Sequence, residues 1–289
     1  MSDALHTPRP VVLVALDGSR AAVVALPVAR SIAAQLGGMV AILHIAAAPL
    51  PDADLRRRLH LDSGEVTTTR LWSRVGAPAM EILRAAGEPD VALVVLTTHG
   101  RDIADGPRLG QVAAAVVAGS ARPVLLVRPE TVEPPDAGAS TFRRLLLPLD
   151  GTPATAMALR PATELAGRLG ASVDVLYVTG SGQALPREPG SIGAPRYVDQ
   201  PQHEWPHWAH EVIERLGRCC ADCPPDVPIR MFLACGEIGA EIARFAAEHH
   251  HDAIVLVRRS RLEPGRARAL RAVLAHAPCP VLVVGGPPA

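Results

Sequence analysis

An internal repeat constrains the fold of this chain more than any other feature of its sequence. Residues 11–16 form an apolar run that ends in Asp17-Gly18-Ser19, and residues 145–149 form a second run that ends in Asp150-Gly151-Thr152, 133 positions later. An alanine-rich stretch of helical length follows each run and ends at a Leu-Gly pair. A short apolar run that passes through a glycine turn into a helix is typical of a buried parallel strand. The sequence therefore predicts two copies of one strand–loop–helix unit, with Ser19 and Thr152 capping the helices and glycine ending them.

The rest of each copy continues the alternation of strands and helices. The first copy has apolar runs at residues 39–45, 91–96 and 124–127 and a helical stretch at 79–86; the second has runs at 172–178, 253–257 and 281–284 and a helical stretch at 240–248. This alternation predicts parallel sheets with right-handed crossovers. The first copy leaves little room for a helix between Pro51 and Val66, whereas the second carries a long glycine- and proline-rich loop and then a predicted helix near residues 208–220.

Length and composition agree with two domains. The 289 residues suffice for two ordinary cores, and a stretch rich in proline, acids and small residues separates the copies. We predict a first domain at residues 1–129, a linker at 130–141 and a second domain at 142–289.

Charge and cysteine content exclude several classes of protein. The 29 basic and 29 acidic residues balance, which argues against a nucleic-acid partner. The N-terminus lacks the pattern of an export signal, and no apolar run reaches the length of a membrane span, so a soluble, cytoplasmic protein is expected. Five cysteines without an export signal argue against a disulfide framework. The chain has no lysine, which excludes a P-loop.

The combined motifs resemble those of the universal stress protein family. The resemblance rests on Val14-Ala15-Leu16-Asp17-Gly18-Ser19, Leu43-His44-Ile45, Thr98-His99-Gly100-Arg101, Gly110 with the helix behind it, and the closing segment at residues 276–284. It covers residues 9–128 and 142–285. It implies an α/β fold of two tandem Rossmann-like domains, each a five-stranded parallel sheet of order 3-2-1-4-5 flanked by helices. It also implies an adenine nucleotide at the carboxyl ends of the strands, where open α/β sheets bind ligands.

In the nucleotide-binding branch of that family, a loop of the form Gly-x2-Gly-x9-Gly-Ser/Thr holds the phosphates. Gly100 and Gly110 keep the nine-residue interval, while Thr97 stands at the first glycine and Gln111 at the hydroxyl residue. Glycines let backbone amides approach phosphates, and a helix N-terminus attracts anions. The resemblance implies ATP or AMP as ligand, with no metal beyond nucleotide-bound Mg²⁺. The residues that it implies for nucleotide binding are Ala15, Leu16, Asp17, Ile45, Thr97, Gly100, Arg101, Gly110, Gln111 and Val112. The alternative for Asp17 is that it only caps the following helix.

The second copy departs further from the family pattern. Asp150 remains, but Tyr177 stands at the position of His44, and Ala267 and Arg268 replace the terminal glycine and hydroxyl residue. Five arginines lie in and after this loop: Arg258, Arg259, Arg261, Arg266 and Arg268. They would serve either an anion or a partner-facing surface. We therefore interpret the second domain as degenerate.

Two further clusters resemble metal sites but are assigned ordinary roles. His203, His207 and His210 precede Cys219, Cys220 and Cys223. The cysteines do not form the two CxxC motifs of a typical zinc site, so no metal is expected. The histidines at 249–251 lie at a predicted helix end, where the helix dipole favours them.

Three functions remain open at this stage. The first is a stress-response regulatory protein that binds an adenine nucleotide in its first domain. The second is a scaffold that binds no nucleotide and acts through protein contacts, and the third and weakest is a hydrolase of adenine nucleotides. Family members pair their last strands, so Val124–Val127 and residues 281–284 are expected to form an internal pseudo-dimer, with a homodimer as a further possibility.

Overall fold

The computed structural model describes residues 9–59, 61, 69–99, 109–131, 141–179, 210–212, 214, 216, 224–258 and 266–285. The chain divides into two compact units, and Thr141 and Phe142 lie on either side of the boundary. Residues 132–140 of the predicted linker lie outside the described residues.

Unit 1 is an open parallel sheet with helices between its strands. Its elements are β1 (Val11–Ala15), α1 (Arg20–Val23), α2 (Ala25–Gln35), β2 (Met39–Ala46), α3 (Asp52–Arg58), β3 (Thr69–Val75), α4 (Pro78–Ala86), β4 (Val91–Thr97), α5 (Gln111–Gly119), β5 (Val124–Val127) and a 3-10 turn at Pro129–Thr131. The strands pair in the order β3-β2-β1-β4-β5, all parallel.

Unit 2 repeats this arrangement. Its elements are β6 (Arg144–Leu149), α6 (Pro153–Ala156), α7 (Leu159–Leu169), β7 (Ser172–Thr179), β8 (Ile229–Cys235), α8 (Ile238–Glu248), β9 (Ala253–Arg258), α9 (Arg266–His276) and β10 (Val281–Gly285). Residues 210–212, 214 and 216 are helical as well. The order β8-β7-β6-β9-β10 corresponds to that of unit 1, so the predicted strand order 3-2-1-4-5 is confirmed in each unit.

Each core centres on the first strand of the unit. In β1 the four residues Val11–Val14 are fully buried, because this strand pairs on both sides and helices cover its faces. In β6 the three residues Leu145, Leu146 and Leu147 are buried in the same way. Burying each such side chain contributes about 1.5–3 kcal/mol, which is why a continuous apolar run specifies a central parallel strand.

The structure differs from the sequence prediction after Pro51. Residues predicted to have little room for a helix form α3, whose first turn contains Asp52 and Asp54 and whose last turn contains Arg56–Arg58. Acids at the start and bases at the end complement the helix dipole, and Leu55 is fully buried. This seven-residue helix is therefore stabilised by the charges at its two ends and by burial of the Leu55 side chain.

Candidate functional site

The turn after β1 positions the first predicted site residues. Leu16 is 2 % exposed, and its N–H still donates to Leu43 O at 2.9 Å, so Asp17 stands just beyond the sheet. Gly18 adopts a φ of +84°, a conformation that glycine reaches without strain. The chain then turns so that the Asp17 carboxylate Oδ1 accepts a hydrogen bond from Ser19 N at 2.8 Å.

The capping role belongs to Ser19 and not to Asp17. Ser19 Oγ accepts a hydrogen bond from Ala22 N at 3.1 Å and caps α1, as predicted. Asp17 instead closes the turn ahead of the helix. The alternative interpretation of Asp17 as the cap of α1 is therefore wrong, because the side chain of Ser19, two residues later, makes that bond.

The end of β2 forms the neighbouring wall of the site. His44 is 2 % exposed, and its Nδ1 lies 2.7 Å from Leu16 O. Because a carbonyl oxygen only accepts, Nδ1 carries the hydrogen of this bond. The bond ties the end of β2 to the residue that precedes Asp17. Ile45 and Ala15, both predicted to line the base, are half-buried beside it.

The other side of the site is built by the end of β4 and the start of α5. Thr97 is the half-buried last residue of β4, and Thr98 N donates to Val127 O at 2.9 Å. Gly110, the residue before α5, donates its N–H to Thr98 O at 2.8 Å. A Cβ at Gly110 would lie 3.3 Å from that oxygen, so glycine permits the close approach. The amide of Gly110 is thus committed to the chain itself.

The amides that remain for an anion are therefore those of the first turn of α5. The first N–H groups of a helix have no partner within the helix and attract anions. Gln111 and Val112 begin α5 and are exposed, Val112 to 40 %. The predicted site residues Gly100 and Arg101 lie outside the described residues.

Strand order places these two sides next to one another. β1 lies between β2 and β4, so the chain leaves β1 toward β2 on one side and returns as β4 on the other. The carboxyl ends of β1 and β4 point to the same edge because the strands are parallel. Asp17 and the start of α5 therefore share the topological switch point of unit 1, the place where open α/β sheets bind ligands.

An ion pair borders this edge. His99, which follows β4, has its Nε2 3.0 Å from Glu130 Oε1, and Arg128 Nε lies 3.7 Å from Glu130 Oε2. These contacts join the segment before the predicted phosphate loop to the 3-10 turn after β5.

The corresponding turn of unit 2 has different side-chain contacts. Asp150 Oδ1 accepts hydrogen bonds from Thr152 N at 3.0 Å, Thr152 Oγ1 at 2.6 Å and Thr155 Oγ1 at 2.7 Å. Thr152 therefore does not cap α6, contrary to the prediction, because its hydroxyl donates to Asp150. Tyr177 is buried, and burial, followed by the charge of Asp150, raises the pKa of its phenol to about 12.

The two predicted histidine clusters fare differently. His210 forms a pair with Glu214 at 3.3 Å, whereas His203, His207 and the three neighbouring cysteines lie outside the described residues. Within the described part of the chain no group of three or more histidine, cysteine or acidic side chains is placed to hold a metal ion.

The interpretation of residues 249–251 as dipole-stabilising histidines is wrong for His251. This side chain is buried, and its Nε2 lies 3.0 Å from Asp174 Oδ2. Sequence reasoning missed Asp174, although an aspartate inside the apolar strand Ser172–Thr179 is itself a signal of buried polar contacts.

Comparison with known proteins places the chain in a family. The model of the universal stress protein family matches residues 9–128 and again residues 141–285. The chain therefore belongs to the universal stress protein family, as a tandem member with two copies of the family's domain. A search of curated protein sequences found no match.

Two solved structures that match nearly the whole chain share its fold. A universal stress protein from Archaeoglobus fulgidus DSM 4304 is 14 % identical, with 95 % of this chain and 98 % of that chain covered and a TM-score of 0.62. A protein of unknown function from Pseudomonas aeruginosa PAO1 is 16 % identical, with 99 % and 95 % covered and the same TM-score of 0.62. An Archaeoglobus fulgidus universal stress protein in complex with dAMP is 20 % identical over 50 % of this chain and 98 % of its own, with a TM-score of 0.34.

None of the helices in the described ranges combines the length and apolar character that a membrane span requires.

Proposed function

We propose that this chain is a regulatory protein that binds one adenine nucleotide in unit 1 and none in unit 2. The observation that carries the proposal is that the Asp17 turn and the start of α5 lie beyond the carboxyl ends of two neighbouring parallel strands, β1 and β4. The choice of adenine rests on the resemblance to universal stress proteins, whose aspartate at this position faces the adenosine.

The two sides of the switch point suit the two ends of a nucleotide. A carboxylate at Asp17 accepts hydrogen bonds from hydroxyl or amino groups, so it suits the nucleoside. The first turn of α5 offers backbone amides and the positive end of a helix dipole, which suit a phosphate group. Half-buried Ile45 and Ala15 supply apolar surface beside the carboxylate.

Unit 2 is assigned no nucleotide because its carboxylate is engaged differently. Three donors from Thr152 and Thr155 occupy Asp150 Oδ1. A ligand hydroxyl that binds Oδ1 would have to displace hydroxyls that are already well placed, which reduces the gain from the new hydrogen bond. At the loop positions of the family's last glycine and hydroxyl residue, unit 2 has Ala267 and Arg268.

The proposal is one of binding without catalysis. The sequence contains no P-loop, no G-x-S-x-G nucleophile motif and no lysine. Nucleotide occupancy would act by changing which conformation or partner of the protein is favoured, as any ligand with differential affinity does.

A matched pair of substitutions tests the assignment. Asp17→Asn keeps an oxygen that accepts from Ser19 N but removes the charge, and Asp150→Asn makes the same change in unit 2. Isothermal titration of the full chain with AMP and with ATP should give one site per chain. Asp17→Asn should weaken binding about tenfold or more, since hydrogen bonds to charged groups contribute about 1.5–3 kcal/mol. Asp150→Asn should leave the affinity unchanged, and the opposite pattern would place the nucleotide in unit 2.

One observation favours the scaffold alternative. The amide of Gly110 donates to Thr98 O, and Thr97 and Gln111 replace a glycine and a hydroxyl residue of the family loop. If the titration shows no heat with either nucleotide and the melting temperature does not rise, the scaffold is the better description, because a ligand that binds the native state must stabilise it.

A further inference from the structure

Unit 2 contains a cluster of charges around a buried carboxylate in its second strand. The carboxylate of Asp174 in β7 is fully buried, and Arg230 holds it as a fork, with Nε 2.8 Å from Oδ1 and Nη2 2.8 Å from Oδ2. Arg144 Nη2 donates to Oδ2 at 3.1 Å, and His251 Nε2 lies 3.0 Å from the same oxygen. The equivalent position in β2 is Ala41, so the cluster is particular to unit 2.

The cluster lies at the end of the unit 2 strands opposite to the Asp150 turn. Arg144 is the first residue of β6, Arg230 the second residue of β8, and His251 precedes β9, so all three lie toward the amino ends of the strands. The Asp150 turn lies at the carboxyl end of β6. The role of the cluster is therefore separate from nucleotide binding.

The contacts of the two ring nitrogens of His251 indicate which of them carries a hydrogen. Because a carboxylate only accepts, Nε2 carries the hydrogen that faces Asp174. Nδ1 is buried and has no hydrogen-bond partner among the described residues. A proton added at Nδ1 would create a buried donor without an acceptor, beside two guanidinium groups that already outnumber the one carboxylate.

The acid constants of the pair follow from this environment. Burial lowers the pKa of His251 below its usual value, and the hydrogen bond and charge of Asp174 do not offset that effect. Burial alone would raise the pKa of Asp174, but hydrogen bonds from Arg230, Arg144 and His251 outweigh it, so this pKa is lowered. At neutral pH His251 is neutral and Asp174 is charged.

We propose that the Asp174 cluster makes unit 2 an acid-sensitive element, in which protonation of His251 opens the sheet around β7; in unit 1 the position of Asp174 is occupied by Ala41. Neutral His251 contributes stability above the pH at which the unfolded chain binds its proton, about 6.5. That contribution is lost as the pH falls below this value, because the unfolded chain then binds a proton that the folded unit resists.

Positive groups outnumber negative ones in the cluster around His251. Arg144 of β6 and Arg230 of β8 oppose a further positive charge, and only Asp174 of β7 favours it. His249 at the end of α8 lies 6.2 Å away between ring centroids. Asp252 accepts hydrogen bonds from Arg143 N and Arg144 N, both at 2.8 Å. Burial, followed by the charge of Asp252, raises the pKa of the Cys279 thiol to about 12.

The test is hydrogen exchange of the full chain, measured by mass spectrometry at about pH 7 and about pH 5.5 and corrected for intrinsic exchange. The opening constant of β7 should rise up to about eightfold at the lower pH through His251 alone, given an unfolded pKa of about 6.5. His251→Gln keeps a donor near Asp174 but cannot titrate, so it should flatten this dependence. His210→Gln, which alters an exposed histidine, should retain the wild-type dependence.

The proposal is overturned if His251→Gln keeps the wild-type dependence or if His210→Gln removes it equally. If His251→Gln does not fold, the wild-type protein decides. The exchange of the imidazole C2 hydrogen should show His251 still neutral at about pH 6, where an exposed histidine is largely protonated. Titration of His251 at about pH 6.5 or above would contradict the proposal.

Discussion

The two glycine turns that follow β1 and β6 have the same backbone conformation at glycine but differ in their side-chain hydrogen bonds. Gly18 and Gly151 adopt φ values of +84° and +78°, and each turn begins with an aspartate. In unit 2 the hydroxyls of Thr152 and Thr155 both donate to Asp150 Oδ1. In unit 1 the position of Thr155 is occupied by Ala22, which has no hydroxyl. The comparison shows that Thr155 gives Asp150 a hydroxyl donor that Ala22 cannot give Asp17.

The opposite ends of the two sheets differ in a complementary way. Unit 2 buries Asp174 among Arg144, Arg230 and His251, whereas unit 1 has Ala41 at that position and an exposed pair between Arg70 and Asp90 at 3.1 Å. We propose a ligand-binding role for the switch point of unit 1, and unit 2 has the buried polar network. The predictions below test this division of roles.

The largest effect is expected from Asp174→Ala. Removing the carboxylate leaves two guanidinium groups partly buried without their counter-charge, and breaking such an interaction costs about 3–5 kcal/mol. Urea unfolding of the full chain should show this loss of free energy of unfolding. A loss below about 1 kcal/mol, the typical value of an exposed ion pair, would show that the cluster contributes little.

Tyr177 should make unit 2 sensitive to alkali. Its phenol has a pKa raised to about 12, so the folded unit keeps a proton that the unfolded chain releases above about pH 10. Stability is therefore fully present below pH 10 and is lost as the pH rises toward 12, by at most about 2–3 kcal/mol. Tyr177→Phe should remove this part of the loss. The ionisation of Tyr177 is measured as the phenolate absorbance of the wild-type protein minus that of Tyr177→Phe. A midpoint near pH 10 for this difference would contradict the assignment.

Gly110→Val is expected to affect unit 1 in both stability and binding. A Cβ there would lie 3.3 Å from Thr98 O, so the larger side chain should cost about 1–3 kcal/mol through displaced backbone. Nucleotide binding should be lost with it, whereas Arg258→Ala in unit 2 should leave binding unchanged. Thermal unfolding with and without AMP measures both effects. Equal loss of binding in the two variants would contradict the assignment of the nucleotide site to unit 1.

The smallest effect is expected from Ser19→Ala. Loss of the hydrogen bond from Ala22 N to Ser19 Oγ should cost about 1 kcal/mol, the usual value of a helix cap. Ser19→Asp should restore it, because aspartate is an equally good cap. Urea unfolding of both variants tests the contact, and an unchanged midpoint for Ser19→Ala would show that α1 does not depend on this cap.

Much of the fold was predictable from the sequence because central parallel strands are continuous apolar runs. The runs that became β1, β2, β4 and β5 and their counterparts have bounds within a residue or so of those predicted. The edge strands β3 and β8 were not recognised individually, since Thr69–Val75 and Ile229–Cys235 mix arginine with apolar residues. An edge strand needs only partial burial, so its pattern is weak.

The site was less predictable because its contacts depend on tertiary geometry. Residue types indicated Asp17 and Gly110, but the sequence could not show that the Gly110 amide donates to Thr98 or that Ser19 makes the cap. Nor could it show that Asp174 and His251, 77 positions apart, meet in the core. Such pairs are set by strand register, which one sequence does not display.

The central claim is that unit 1 and not unit 2 presents a nucleotide site at its switch point. The most direct measurement is a crystal structure of freshly purified full-length protein, with AMP added to a parallel crystal. The account predicts nucleotide density beside Asp17 and the first turn of α5, and none beside Asp150. Density at Asp150, or an empty unit 1 in both crystals, would contradict it.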